Sequence, residues 1–261
     1  MLDYNNYEFQ GLVDEGSDAC VYRVRNRGAI FAAKCIKDDS KTMESEASLH
    51  QSLDHLHIVK CFGILKGHVK QTLLLEYVLG KNLYDYVNAN DPLAENQALI
   101  YFTQLVSALT YLHNQSIMHR DIKPGNILVS NEGIKLIDFG FATRVDPNNL
   151  PTIIMGTPDY VAPEIILLRH PQYAVFDKAK AMLPIVGYSF GVDIWSAGVT
   201  LCFLLTGRCP FYESSYTHMY QRIVNSQWLA TDVPPDTNVL LELIFQIDPR
   251  DRITANDLLL I

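Results

Sequence analysis

With 261 residues, the chain is long enough for one large domain or for two lobes around a cleft. Its composition, 48% hydrophobic and 19% charged, is that of a folded protein, and its net charge of −8 argues against the broad basic surface that nucleic-acid binding usually requires. The five cysteines form no C-x-x-C pair, which disfavours a disulfide framework or a zinc site and favours a reducing compartment.

The first 75 residues have the pattern of a small lobe rich in β structure. Their opening residues, MLDYNNYEF, lack the basic and then apolar pattern of a secretory signal, and no apolar run in the chain approaches the ~20 residues of a membrane span. We therefore expect no membrane span and a cytoplasmic or nuclear location. The runs GLVDEG, CVYRVR and IFAAKCI read as strands, and residues 42–53 as a helix between later strands.

After the strand LLLEYVLG the pattern becomes helical. Residues 94–113 carry apolar side chains at helical spacing, and the stretch 76–80, which ends at a glycine, is the predicted connection between two lobes. We predict one domain over residues 1–261, with an N-lobe at 1–77 and a C-lobe at 78–261. The helical pattern still runs at residue 261, so we expect the last helix to be cut short there or to continue in a longer protein.

Two segments concentrate side chains that can do chemistry. HRDIKPGN at 119–126 supplies Asp121, Lys123 and Asn126, and IKLIDFGFA at 134–142 places Asp138 at the end of an apolar strand. Carboxylate and amide oxygens suit Mg²⁺, so Asp138 and Asn126 are the predicted metal ligands. Asp121 is then free to accept a proton from an incoming hydroxyl group, while Lys123 stabilises charge on a moving phosphoryl group.

Together with APE at 162–164, DIWSAG at 193–198 and DPRDRIT at 248–254, these segments closely resemble the eukaryotic protein kinase family. The resemblance covers nearly the whole chain. It implies an α+β, bilobal protein kinase fold, with a small β-rich N-lobe and a larger, mainly helical C-lobe. It also implies an enzyme that uses ATP and Mg²⁺ to phosphorylate a hydroxyl group of a protein substrate.

The resemblance further assigns residues to the nucleotide site. Lys34 in FAAK resembles the strand lysine that contacts nucleotide phosphates, and Glu46 resembles its helix partner. Leu75 is expected at the back of an apolar slot for adenine. The remaining residues expected around the nucleotide are Val13, Gly16, Val21, Ala32 and Leu128, with the backbone of Glu76 and Val78 at the edge of the ring. Glu164 and Arg252 are expected to form a structural ion pair.

The acceptor is expected to be serine or threonine, because Lys123 and the GTPDY segment with Thr157 resemble serine/threonine kinases. Related kinases that favour arginine near the acceptor carry acidic residues at the positions of Asn82 and Gly125, so we do not predict an arginine-directed enzyme. Arg120, beside Asp121, suggests that a phosphate on the activation loop orders that loop.

Three features depart from the family pattern. Asp14 and Ala19 stand where glycines usually let the backbone approach the phosphates. His50 replaces an apolar residue that packs on the Phe of DFG, and we expect a neutral, packed imidazole rather than a pH sensor. Residues 169–188 form an insertion that is either a docking surface for a partner or a passive surface excursion.

Two other functions compete with the protein kinase interpretation. A pseudokinase, acting as a nucleotide-binding scaffold or interaction module, would fit the eroded glycine loop but not the retained catalytic side chains. A small-molecule kinase of the aminoglycoside type would share the two aspartates. GTPDYVAPE disfavours it, because this segment resembles a platform for peptide docking.

Overall fold

A five-stranded antiparallel sheet forms the first lobe in the computed structural model of the protein, with the strand order β1-β2-β3-β5-β4. The structure describes residues 2–16, 18–37, 43–66, 71–153, 155–174, 177–229 and 232–261. The strands are β1 (Glu8–Glu15), β2 (Ala19–Asn26), β3 (Ala29–Ile36), β4 (Cys61–Leu65) and β5 (Thr72–Glu76). The helix predicted over 42–53 is α1 (Glu44–Gln51), and Thr42 lies outside the described residues.

The sheet has two apolar faces because side chains alternate along each strand. The register pairs Val21 with Lys34, and Lys34 with Leu73, so these three side chains share one face. That face packs against α1, where Leu73 and Ala47 are buried in the same cluster. The opposite face buries its own cluster beneath aromatic residues near the N-terminus. Lys34 is therefore directed toward α1 and the cleft.

The second lobe is mainly helical and is built around a nearly fully buried α6. Its helices are α2 (Leu83–Asn90), α3 (Glu95–Asn114), α4 (Pro163–Leu167), α5 (Asp177–Ala181), α6 (Gly191–Thr206), α7 (Tyr216–Val224), α8 (Pro235–Ile244) and α9 (Ala255–Leu258). The helix predicted over 94–113 is α3, which begins one residue later because Ala94 has an extended backbone with ψ 144°. Within the described residues, none of the helices combines the length and apolar character needed to cross a bilayer.

Short strands on the second lobe position the catalytic segments. They are β6 (Lys81–Asn82), β7 (Ile117–Met118), β8 (Ile127–Ser130), β9 (Gly133–Leu136) and β10 (Thr143–Arg144). β8 and β9 form a hairpin that starts just after Asn126 and ends just before Asp138. These features confirm the predicted α+β, bilobal fold. The predicted boundary between residues 77 and 78 falls just after β5 and stays a prediction.

The insertion at 169–188 is anchored in the core of the second lobe. It contains a 3-10 turn and α5, and Ala179 and Tyr188 are each at most 2% exposed. Gly187 lies so close to the segment before it that an added Cβ would come within 2.5 Å of Leu150 Cβ. Residues 175 and 176 lie outside the described residues. Because its second half is anchored by these buried residues, the insertion is not merely an excursion over the surface, and its predicted docking role stays a prediction.

A buried ion pair ties α4 to the segment before α9. Arg252 donates to both carboxylate oxygens of Glu164 at 2.8 and 3.0 Å, and the two side chains are 0% and 1% exposed. The guanidinium also lies 5.1 Å from the ring centroid of Trp195. The structural pairing expected from the sequence is thus present.

We expect Arg252→Met to lower the free energy of unfolding by about 3–5 kcal/mol, because Glu164 would remain buried without its cation. Urea denaturation followed by tryptophan fluorescence measures this loss. Arg250→Met is the matched control, since Arg250 is 78% exposed and pairs with Asp248 at the surface. Its effect should stay below about 1 kcal/mol. Equal losses in the two variants would contradict the structural role of the buried pair.

Candidate catalytic site

Three charged side chains from distant parts of the chain meet at the base of the cleft. Lys34 Nζ on β3 donates to Glu46 Oε1 on α1 at 2.8 Å and to Asp138 Oδ1 at 2.8 Å. Burial alone would lower the pKa of Lys34, but the two carboxylates outweigh it and raise the pKa above its ordinary value. Lys34 is therefore a fixed cation. The Asp138 side chain that it contacts is still 46% exposed, on the side of the cleft.

The segment after Asp138 depends on a glycine and a buried aromatic ring. Asp138 has φ +63°, and its Oδ1 accepts from the Gly140 amide at 3.3 Å. A Cβ on Gly140 would lie 3.3 Å from that same oxygen, so a larger residue would crowd the ion triad. Phe139 is 1% exposed and packs against the rings of His50 and His119, with centroids 4.2 and 4.9 Å away.

His50 is a neutral imidazole, as the sequence predicted. Its Nε2 lies 2.7 Å from the Val59 carbonyl oxygen and must donate to it, because a carbonyl only accepts. Nδ1 is buried with no hydrogen-bond partner among the described residues. Burial, with smaller effects from Lys34 and His119, lowers the pKa of His50 to about 4, although the Val59 carbonyl and Asp138 oppose this.

The catalytic loop arranges hydrogen bonds around Asp121. Lys123 Nζ lies 2.8 Å from Asp121 Oδ2, and the Thr157 hydroxyl donates to Asp121 Oδ1 at 3.0 Å. Lys123 also donates to Thr157 Oγ1 at 2.8 Å, which closes a triangle. Asn126 Nδ2 donates to both Asp121 Oδ2 and the Asp121 carbonyl at 2.8 Å. The carboxylate is 7% exposed and therefore tightly oriented.

Asn126 and Asp138, the predicted metal ligands, are held next to each other by the backbone. The Ile137 amide, one residue before Asp138, donates to the Asn126 carbonyl at 2.9 Å. Because the side-chain nitrogen of Asn126 donates both of its hydrogen bonds to Asp121, the side-chain oxygen remains as an acceptor. An amide oxygen and a partly exposed carboxylate form a donor set that fits a hard divalent cation.

The residues expected around adenine fall on the two sides of the cleft. Val21 and Ala32 share the cleft face of the sheet, and Ala32 is paired with Leu75, which is 9% exposed. Val13 lies between two paired positions where the β1 register shifts, and is 51% exposed. Leu128, on β8 in the second lobe, is half-buried. The structure thus places apolar side chains on both walls.

The connection between the lobes contributes backbone groups. The Glu76 amide donates to the Lys60 carbonyl at 2.8 Å, and the Glu76 side chain pairs with Lys135 at 2.8 Å. The Val78 amide has no partner within the described residues. It is thus free to donate to a ligand. Gly80 allows the chain to pass so close to β8 that an added Cβ would overlap the Val129 carbonyl.

The glycine-poor loop is ordered where the structure describes it. The Gly16 amide donates to the Ala19 carbonyl at 3.0 Å, closing the turn, and Glu15 pairs with Lys37 at 2.7 Å. Asp14 Oδ1 accepts from the Glu15 amide at 2.9 Å, so its carboxylate is engaged locally. Asp14 shares a register position with Val21 and therefore belongs to the cleft face. The predicted conflict between Asp14 and the phosphates remains a prediction.

Tyr188 contacts the activation loop, and no motif in the sequence predicted this contact. Its hydroxyl donates to the Ile153 carbonyl at 2.6 Å and accepts from Arg120 Nη1 at 3.3 Å. Arg120 Nε donates to the Phe141 carbonyl at 2.6 Å. Arg120 was predicted to bind a phosphate on the loop. Among the described residues these two oxygens use two of the five N–H groups of Arg120, so phosphate binding by the other three stays a prediction.

Comparisons with known proteins agree with this geometry. Residues 7–260 match the family model described as "Protein kinase domain". The chain is 32% identical to "Maternal embryonic leucine zipper kinase" of Xenopus laevis, over 88% of this chain and 34% of the relative. It is 35% identical to "Probable serine/threonine-protein kinase PLK" of Dictyostelium discoideum, over 95% of this chain and 24% of the relative.

A third relative, "Serine/threonine-protein kinase CG17528" of Drosophila melanogaster, is 31% identical over 98% of this chain and 34% of its own length. The chain belongs to the protein kinase family. Members of this family use ATP and typically a divalent metal ion. The chain spans about a quarter to a third of the length of these curated relatives.

We expect His50→Leu to make the free energy of unfolding depend less on pH between pH 7 and pH 4. Because the folded-state pKa of His50, about 4, lies below the ordinary value of 6.5, the unfolded chain takes up a proton first as the pH falls. The stability associated with neutral His50 is fully present above pH ~6.5 and is lost toward pH ~4, by at most about 3 kcal/mol.

Urea unfolding at intervals from pH 7 to pH 4 tests this expectation. The Leu variant keeps an apolar contact for Phe139 and removes the unpaired Nδ1, so its stability should fall less steeply than that of the wild type. His218→Leu is the control, since His218 is exposed. Parallel pH profiles for the wild type and His50→Leu would contradict the assignment of a buried neutral imidazole.

We expect Tyr188→Phe to loosen the activation loop without unfolding the protein. The ring still fills its buried site, but the Ile153 carbonyl and Arg120 each lose a partner, at a cost of about 1–2 kcal/mol. Limited proteolysis within residues 145–157 should accelerate about five- to thirty-fold. Tyr173→Phe, in the same insertion, should cleave at the wild-type rate. Equal protection of both variants would show that the hydroxyl does not hold the loop.

Proposed function

We propose that the chain is the catalytic domain of a serine/threonine protein kinase. The reaction breaks the bond between the γ-phosphorus of ATP and the oxygen that bridges it to the β-phosphorus, and forms a bond to a hydroxyl oxygen of a protein substrate, releasing ADP. The observation that supports this most directly is the closed triangle of Asp121, Lys123 and Thr157 beside the ion triad of Lys34, Glu46 and Asp138.

Asp121 takes the hydroxyl proton in this proposal. Its two oxygens are oriented by Asn126, Lys123 and Thr157, so one lone pair can point at an incoming hydroxyl with little reorganisation. Lys123 stands next to the same carboxylate and would contact the phosphoryl group as it moves. A fixed base and a fixed cation are what phosphoryl transfer requires, because positioning and charge stabilisation provide most of its catalysis.

Nucleotide binding is assigned to the cleft between the lobes. Lys34, kept charged by Glu46, would contact the phosphates, and Gly16 would bring the loop backbone near them. The unpaired Val78 amide and the backbone of Glu76 would bond the edge of adenine. Val13, Val21, Ala32 and Leu128 would enclose its faces.

We propose Mg²⁺ as the divalent cation, held by Asp138 and Asn126. Mg²⁺ takes few protein ligands and completes its shell with water and phosphate oxygens, which suits a site with one carboxylate and one amide oxygen. When bound, the ion neutralises charge on the phosphates. Asp138 remains anionic for this task, because Lys34 outweighs the effect of burial and lowers the pKa of Asp138 below its ordinary value.

Two features support a serine or threonine acceptor. The Thr157 hydroxyl lies within the hydrogen-bond network of the proposed base, beside the place where an aliphatic hydroxyl would approach. Two of the similar relatives carry serine/threonine kinase in their names.

A pseudokinase is the second candidate, because Asp14 and Ala19 replace glycines in the loop that covers the phosphates. Against it stands the ordered state of the catalytic groups: the ion triad is formed, Phe139 is buried, and Asp121 is fully oriented. A scaffold under no selection for turnover has no need of all three features. A partner-binding role for residues 169–188 is compatible with either candidate.

We expect Asp121→Asn to reduce phosphate transfer at least a hundred-fold, because the amide cannot accept the hydroxyl proton. ATP affinity should stay close to that of the wild type, since Asp121 does not contact the ion triad. Asp138→Asn should weaken Mg²⁺-dependent ATP binding as well. Peptide phosphorylation with labelled ATP and titration of a fluorescent ATP analogue measure the two quantities.

Asp54→Asn is the matched control, because Asp54 is 90% exposed and its carboxylate pairs with Lys60, which belongs neither to the ion triad nor to the catalytic loop. It should behave as the wild type in both assays. Wild-type turnover by Asp121→Asn would refute the assignment of the base. A wild-type protein that binds ATP but phosphorylates no peptide of a degenerate serine and threonine library would favour the pseudokinase.

A further inference from the structure

A cavity of about 700 Å³ opens directly beside the proposed acceptor site. Lys123 and Thr157, which contact Asp121, also form part of its wall. From there the cavity extends between the start of α2 and the loop that follows α6. A substrate whose hydroxyl group reaches Asp121 therefore lies next to this cavity.

Aromatic and apolar side chains form most of the cavity wall. Tyr84 and Phe203 stack with their ring centroids 5.5 Å apart and their planes at 10°, which makes a flat side. Tyr212 and Leu229 stand at the rim and are 64% and 55% exposed. Monomeric proteins seldom expose large apolar side chains around one concave site without a ligand for them.

The inner part of the cavity is uncharged. Cys209 donates weakly to the Tyr160 hydroxyl, with the two atoms 3.5 Å apart, and burial raises the pKa of Cys209 to about 11. Burial likewise raises the pKa values of Tyr160 and of Cys202, so all three groups are neutral at pH 7. A charged substrate side chain placed there would lose its hydration without gaining a counter-ion.

The charged side chains of the wall are of both signs. Lys123 and Arg208 oppose Asp159 and Asp232, so the described wall residues carry no net charge. Asn82 is neutral and is used as the cap of α2, where its side chain accepts from the Asp85 amide at 2.8 Å. Gly125 contributes no side chain at all.

We propose that this cavity is a specificity site that takes an apolar or aromatic side chain of the protein substrate, within three residues of the phosphorylated hydroxyl. An extended peptide advances about 3.3 Å per residue, so three residues span about 10 Å. That reach matches a cavity that begins at residues in contact with Asp121. The inference rests on the proposed kinase function and adds the class of substrate that the enzyme prefers.

A positional peptide library tests the proposal. Each of the three positions on either side of a serine or threonine is set to Leu, Phe, Ala, Arg or Glu, and kcat/KM is measured for the wild type. We expect Leu or Phe to exceed Ala and Arg by about ten-fold or more at one of these positions. A flat profile, or a preference for Arg or Glu, would overturn the proposal.

Substitutions in the cavity wall test whether the preference for an apolar substrate side chain arises there. Tyr84→Ala removes one side of the aromatic wall and should lower the Leu-to-Ala ratio of kcat/KM about five- to ten-fold. Tyr84 is half exposed, so the fold should survive its removal. Tyr216→Ala is the control, since Tyr216 is also exposed, at 67%, but lies on α7 outside the cavity wall that the described residues form. An unchanged ratio in Tyr84→Ala would overturn the proposal.

Gly125 allows a test that isolates charge. A Cβ there would meet only Lys123 Cε, at 3.9 Å, so a side chain can be added without a clash. Gly125→Glu and Gly125→Gln differ only in charge. We expect the Glu variant to raise the Arg-to-Leu ratio at the preferred position several-fold above that of the Gln variant. Equal ratios would show that the substrate side chain does not reach this wall.

The failure of this proposal can be told apart from the failure of the kinase assignment. Peptides with alanine in place of the acceptor can still bind, so their affinity is measured by fluorescence anisotropy without turnover. Absent phosphorylation with tighter binding of the Leu peptide would refute the kinase function and retain the cavity as a peptide site. Phosphorylation with equal binding of Leu and Ala peptides would retain the kinase and refute the cavity assignment.

Discussion

The catalytic loop depends on one buried carboxylate in the first turn of α6. Asp193 is 1% exposed and accepts from the His119 amide at 2.9 Å, from the Arg120 amide at 2.8 Å, and lies 3.1 Å from His113 Nε2. Burial alone would raise the pKa of Asp193, but these histidines and amides lower it, so it stays anionic. Arg120 holds φ +69°, an unfavourable backbone that these bonds stabilise. Asp121 is the next residue, so these bonds to the preceding backbone also fix its position.

A second electrostatic constraint connects this loop to the first lobe. Lys34 contacts both Glu46 and Asp138, and a cation buried there without any anion would be costly. Glu46 is delivered by α1 and Asp138 by the hairpin of β8 and β9, so the ion triad forms only when the two lobes approach. Phe139 also packs against His50, which connects the position of α1 to that of the segment predicted to bind metal. The contacts proposed for the nucleotide and for the hydroxyl group thus depend on the same arrangement of the two lobes.

The segment between these motifs and α6 is fastened at two places. Near the base, Thr157 bonds to Lys123 and Asp121; further along, Tyr188 bonds to the Ile153 carbonyl and to Arg120. The last residue of the insertion at 169–188, Tyr188, thus contacts the loop that borders the proposed acceptor site.

Sequence alone determined the class of fold and the order of the two lobes, because these follow from local patterns. It also predicted the chemistry at Lys34, Glu46, Asp121, Asn126 and Asp138, because phosphate and metal restrict the residue types in these motifs. The bounds of α3 followed from helical periodicity to within one residue. Tertiary structure alone decided which partners complete those groups. Tyr188 meets Ile153 and Arg120 across 35 and 68 positions, and the wall of the cavity draws on segments from Asn82 to Asp232. Such contacts depend on how helices pack against one another, and no spacing within a single segment records that packing.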